Sequence, residues 1–144
     1  MTLERGTAYY ATIMEEMRLF GIRGAIRCEN TAEDITRRVV QLYDESLARN
    51  ALSEENIVSL VFSVTKDLTA LNPAAALRAG GRAAKLSLFS VAEADVSGSL
   101  PGVIRILMHC YLPQGASLRH TYLNGAEVLR PDRALPARKS GDGA

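Results

Sequence analysis

The run Val103–Leu112, VIRILMHCYL, constrains what this chain can become more tightly than any other segment. Read with the two-residue period of a β-strand, Ile104, Ile106, Met108, Cys110 and Leu112 point one way and make a wholly apolar face. Val103, Arg105, Leu107, His109 and Tyr111 point the other way. A face without a polar side chain must be the core face. Arg105 therefore sits on the opposite face, available to a cleft.

The flanking segments supply the rest of a sheet. RLFGIRGAIRC, from Arg18 to Cys28, reads as a strand in which Gly21 and Gly24 mark a close backbone approach or a bulge. Asn30 and Thr31 offer N-caps, with Glu33 and Asp34 in the first turn that follows. Ile35, Val39, Leu42, Tyr43 and Leu47 then recur at helical spacing, which predicts an amphipathic helix to about Asn50. Ile57–Thr65, IVSLVFSVT, reads as a buried strand. Asn72 as N-cap, Pro73 at the first position and Gly80 past the end describe a short helix. Lys85–Val91 reads as a further strand, and Glu93–Gly102 as a loop rich in Ser, Gly and Pro. A turn at Pro113–Gly115 precedes Thr121–Leu123, and Asn124–Gly125 signals a tight reversal into Ala126–Leu129, with Arg130 at a strand end. The expected fold is α+β: a mixed β-sheet of about five strands with one long and one short helix. Several strands read as apolar on both faces, yet only two helices exist to cover them. A sheet so short of cover finds its second cover in another subunit, so an oligomer is expected.

Composition narrows the function. With 144 residues and 47% hydrophobic content, the chain suits one soluble domain. The net charge of +1 gives no global field for nucleic acid or an anionic membrane, so attraction for an anionic ligand must be local. Of the 17 basic residues only Lys66, Lys85 and Lys139 are lysines. That bias suits forked recognition of carboxylate or phosphate, and high-GC codon usage explains it equally well. Cys28 and Cys110 lack a C-x-x-C spacing and His109 and His120 form no ligand pattern, so no disulfide, no metal and no organic cofactor are expected. No apolar run is long enough to span a bilayer, and residues 1–16 lack the apolar centre of a signal peptide, so a cytoplasmic location is expected. Residues 133–144 belong to a polar segment without apolar periodicity and read as a mobile tail.

The polar residues that stand out are arginines in strand-like contexts: Arg23 in GIRGA, Arg105 in VIRILM and Arg130 after EVL. Glu93 at a strand-to-loop junction and Tyr122 in RHTYL join them. Singly, each reads more readily as a solvated side chain or a structural ion pair than as part of a site. Their order changes this. GIRGA, then T-x-D-L before the Pro-led helix, then E-x-D-V-S-G followed by I-R, then R-H-x-Y-L, then V-L-R-P-D together resemble the AroH class of chorismate mutases across about Met17 to Asp132. The resemblance implies a domain over 17–132 preceded by an extension, 1–16, outside the family pattern.

It also implies a homotrimer with a pseudo α/β-barrel fold and active sites between adjacent subunits, acting on chorismate. Arg23, Glu93, Arg105 and Tyr122 would be the catalytic set from one subunit, with Arg130 near the tail and Leu129 lining the pocket. Ala74 and Arg78 would come from the neighbour. Ser90 stands where the family can carry a cysteine facing the substrate's hydroxyl. Two positions depart from the family: Asn72 replaces an aromatic residue, and Ala75 a residue that can be lysine. The implied activity is the Claisen rearrangement of chorismate to prephenate in Phe and Tyr biosynthesis. Alternative readings are an imine deaminase of the structurally similar trimeric fold and a non-catalytic trimer that binds aromatic-pathway metabolites.

Overall fold

The structure, a computed structural model, describes residues 16–130. Within them run β1 (Met17–Arg27), α1 (Ala32–Arg49), β2 (Ile57–Val64), α2 (Pro73–Ala79), β3 (Ser87–Ala92), β4 (Val103–Pro113) and β5 (Thr121–Leu123). Short 3-10 turns occupy Glu54–Asn56 and Ala126–Leu129. The strands form one mixed sheet in the order β3-β2-β4-β1-β5. The expected α+β architecture is what forms. Nearly all of the expected extension 1–16 and the whole tail 133–144 lie outside the described residues.

β4 is the central strand, antiparallel to both β1 and β2. Its face of Ile104, Ile106, Met108, Cys110 and Leu112 joins Ile22, Ile26, Leu60 and Phe62 beneath the two helices. α1 contributes Ile35, Val39 and Leu42, and α2 contributes Leu77. Thr31 caps α1 by accepting from the Asp34 N–H at 3.0 Å, and the helix ends at Asn50. Asn72 caps α2, with Pro73 in the first turn and Gly80 at the C-terminal end.

Among the described residues, neither α-helix lies over the opposite face. At one end, Leu100, Leu129 and Ala126 pack on Ala25 and Val103. Further along, Leu19, Phe89 and Tyr111 are 48%, 67% and 44% exposed.

The structure decides one open alternative in the sequence reading and differs from that reading in three details. The β1–β4 register runs unbroken from Met17↔Pro113 to Arg27↔Val103, so the glycines mark no bulge. Gly24 is instead a close approach, since a Cβ there would lie 2.7 Å from the Thr121 carbonyl oxygen. β3 begins at Ser87 rather than Lys85, because a turn with Leu86 N–H donating to the Ala83 carbonyl occupies the chain before it. Ala126–Leu129 is a 3-10 turn and not a strand, which also removes Arg130 from a strand end. Asn124 and Gly125 do reverse the chain at positive φ (50° and 97°). β5, however, pairs parallel to β1 and makes no hairpin. The Glu127 carboxylate accepts from the Gly125 N–H at 2.8 Å and curls the chain, while Ala126 is small enough to bury against the sheet.

Candidate active site

The register decides which side chains share the uncovered face. Arg105 on β4 sits opposite Ala25 on β1 and Ser63 on β2, and Ser63 sits beside Val91 on β3. One step along β4, Leu107 sits opposite Arg23 and Val61. Tyr122 on β5 is beside Ala25. A cleft of about 340 Å³ opens over this patch, lined by Arg23, Val91, Glu93, Arg105, Tyr122 and Arg130 among others. Leu129 lines an adjoining cleft of about 460 Å³ that shares Glu93 and Arg105 with the first.

Glu93 follows the end of β3, where its N–H donates to the Val64 carbonyl at 2.9 Å. Its side chain turns back over the sheet. Glu93 Oε2 lies 3.7 Å from Arg105 Nε and accepts a hydrogen bond from the Ser63 hydroxyl. The Arg105 side chain is 47% exposed and that of Glu93 is 24% exposed, so the pair is half open to solvent. On β1, the Arg23 N–H donates to His120 Nδ1 at 2.9 Å, which ties that strand to the approach to β5.

Ala74, Arg78 and Ser90 do not line either cleft. Ala74 is buried at the start of α2 and Arg78 is exposed at its last turn. Ser90 alternates with Val91 and so points to the helix side of the sheet, where its hydroxyl donates to Asn72 Oδ1 at 2.8 Å. The nine candidate residues thus divide into a cleft group, Arg23, Glu93, Arg105, Tyr122, Leu129 and Arg130, and a separate group on and beside α2. Ser63 is a cleft-side residue that the sequence motifs do not mark. Its signal is the alternation of Ser59, Val61 and Ser63 against buried Leu60 and Phe62 in one strand.

A mixed sheet with one helix-covered face, whose bare face gathers arginines, a carboxylate and a phenol in a cleft, defines an α+β domain equipped to grip a small anionic molecule. The chorismate mutase type I family model matches residues 19–133. Chorismate mutase AroH of Bacillus subtilis is 36% identical over 122 residues, covering 83% of this chain and 95% of that protein. Chorismate mutase AroH of Thermus thermophilus is 42% identical over 116 residues, covering 78% and 93%. The solved chorismate mutase from Clostridium thermocellum superposes with a TM-score of 0.69 at 40% identity, covering 76% of this chain and 98% of its own. This chain belongs to the chorismate mutase type I family.

Proposed function

We propose that this chain rearranges chorismate to prephenate in clefts shared between copies of itself, with Arg105 and Glu93 at the centre of the chemistry. Family membership favours this isomerase activity over the imine deaminase and metabolite-binding readings. The observation that carries the mechanism is the placing of Arg105, Glu93, Arg23 and Tyr122 around one cleft.

Chorismate is a dianion that must fold its enolpyruvyl arm over its ring before one C–O bond breaks and one C–C bond forms. No proton need move. The site then has two tasks: to restrict the substrate to a reactive shape, within the roughly 7–11 kcal/mol that proximity can supply, and to meet the charge that develops. The ether oxygen gains negative charge as its bond lengthens. A guanidinium already aimed there stabilises the transition state more than the ground state, which is the binding that accelerates a reaction. Arg105 takes this role. Arg23 pairs with a substrate carboxylate, and Tyr122 donates its phenol to the same region. Glu93 accepts from the ring hydroxyl and keeps Arg105 oriented. Arg130 adds positive charge and Leu129 an apolar wall.

Ala74 and Arg78 serve the site of a neighbouring copy, in keeping with their place outside this chain's own cleft. Leu19, Phe89 and Tyr111, exposed on the same sheet face, support the same assembly, a homotrimer, because large exposed apolar side chains on a sheet face favour a contact. The functional domain spans residues 17–132. Aromatic amino acid biosynthesis is the role the family implies. Two free cysteines, Cys28 and Cys110, accord with a cytoplasmic setting.

The test is to incubate chelator-treated, desalted protein with chorismate and follow its ultraviolet absorbance. Loss of the signal with prephenate formed is the expected result, since a unimolecular rearrangement needs neither metal nor coenzyme. Binding without turnover would sink the catalytic reading, and restoration only by added metal would sink the mechanism.

A further inference from the structure

We infer that Ser63 is a positioning residue that holds the Glu93 carboxylate in place beside Arg105. The inference rests on the reading above, in which Glu93 and Arg105 meet the substrate.

Ser63 lies within β2, paired with Arg105 on one side and Val91 on the other, so its hydroxyl rises from the same face as the guanidinium. That hydroxyl donates to Glu93 Oε2. The Arg105 Nε atom is 3.7 Å from the same oxygen, an ion-pair distance too long for a hydrogen bond. Ser63 therefore hydrogen-bonds the carboxylate, whereas Arg105 Nε only attracts it. Glu93 also opens the irregular segment 93–102, where the backbone anchor to Val64 fixes its Cα but leaves the side chain free to rotate outward. A hydroxyl from a rigid strand removes that freedom. It also engages Oε2 and leaves Oε1 for the ring hydroxyl of the substrate. Without the hydroxyl, a half-buried carboxylate lacking a donor turns toward water, and Arg105 loses its counter-ion at the place where it must point.

The test uses the full chain carrying Ser63→Ala, Ser63→Thr or Ser63→Cys, alone and with Glu93→Gln. Ser63→Ala should lower kcat roughly 10- to 100-fold, the range that slight misplacement produces, with little change in KM or melting temperature. Ser63→Thr keeps the hydroxyl and should retain most of the rate. Ser63→Cys keeps the size but donates weakly, so it should stay impaired even if the alanine variant fails to fold. In a Glu93→Gln background, Ser63→Ala should cost little more, because the route through the carboxylate is already cut. A normal kcat in folded Ser63→Ala or Ser63→Cys, while Glu93→Gln is crippled, overturns the inference alone. So does an equal loss in both backgrounds, or a loss in Ser63→Thr as large as in Ser63→Ala. A normal rate in Glu93→Gln itself overturns the reading of Glu93, and the inference with it.

Discussion

Arg105 is held by a central strand but half exposed beside Glu93, a placement that favours recognition over stability. An exposed ion pair of this kind contributes at most about 1 kcal/mol to folding, so stability alone gives no reason for the arrangement. Arg105→Lys should therefore fold normally yet lose about 10²–10³ in kcat, because an ammonium is a point charge and cannot present a guanidinium fork to both the substrate and Glu93. Steady-state kinetics on the purified variant decide it, and a near-normal kcat would remove Arg105 from the role. Gly24 is constrained differently. A methyl group there meets the Thr121 backbone oxygen at 2.7 Å, Leu42 at 3.1 Å and Ile106 at 3.2 Å. Gly24→Ala must push β5 away from β1, which should cost about 1–3 kcal/mol in denaturant unfolding. Tyr122 travels with β5, so activity should fall too; unchanged stability would show that β5 yields freely.

Among the elements, α1 has the most elaborate beginning. Thr31 accepts from the Asp34 N–H, and the Asp34 carboxylate accepts from the Glu29 N–H at 2.6 Å and from Arg37 at 2.5 Å. The hydrogen bond from Arg37 leads the causes that hold the Asp34 carboxyl below its ordinary 3.8, outweighing the effect of burial. A depressed folded value means that the contribution is present above the ordinary value and is lost as pH falls through the folded one. Asp34→Asn should thus be less stable than wild type by roughly 1–2 kcal/mol at neutral pH, much of it from the charge-assisted bond to the Glu29 N–H. The gap should narrow as the pH drops below 3.8. Thermal melts of both proteins across acid pH measure it, and a gap that stays constant would remove the carboxylate charge as its cause. The helix itself was legible in the sequence from its cap and its apolar spacing. β5 was legible as a segment but not in its partner, because Asn-Gly announces a reversal without saying which edge is left to pair with.

At the scale of the whole molecule, the division of the candidate residues into two groups predicts that each working site needs two chains. Arg105→Ala should be nearly inactive, and Arg78→Ala weakened through lost attraction at the rim. If the two variants are unfolded together and refolded as mixed copies of the proposed trimer, a cyclic interface gives about one site in four with both arginines intact and about one in four with neither. Provided Arg78→Ala alone retains well under the fraction that intact sites contribute, mixed assemblies should then recover activity well above the mean of the two parents. A tagged-chain pull-down must first show that the chains have mixed. Activity equal to that mean, with mixing shown, would place the site within one subunit and remove Arg78 from it.

The sequence by itself determined what depends on neighbours along the chain: the alternation that turns Arg105 away from the core, the caps of α1 and α2, and the ordered motifs that carry the family. These are written in spacings of two to four residues and in turn chemistry, which a single segment contains. Only the tertiary structure decided the parallel seating of β5 on β1, the 3-10 turn at Ala126–Leu129, the bond from Ser90 to Asn72 and the hold of Ser63 on Glu93. The seating of β5 and the hold of Ser63 depend on strand order and register, which bring residues tens of positions apart together. The bond from Ser90 depends on how α2 packs beside β3, and the 3-10 turn on how Ala126 buries against the sheet. The same serine codes equally for a solvated surface or a partner to a carboxylate until the sheet fixes what lies beside it.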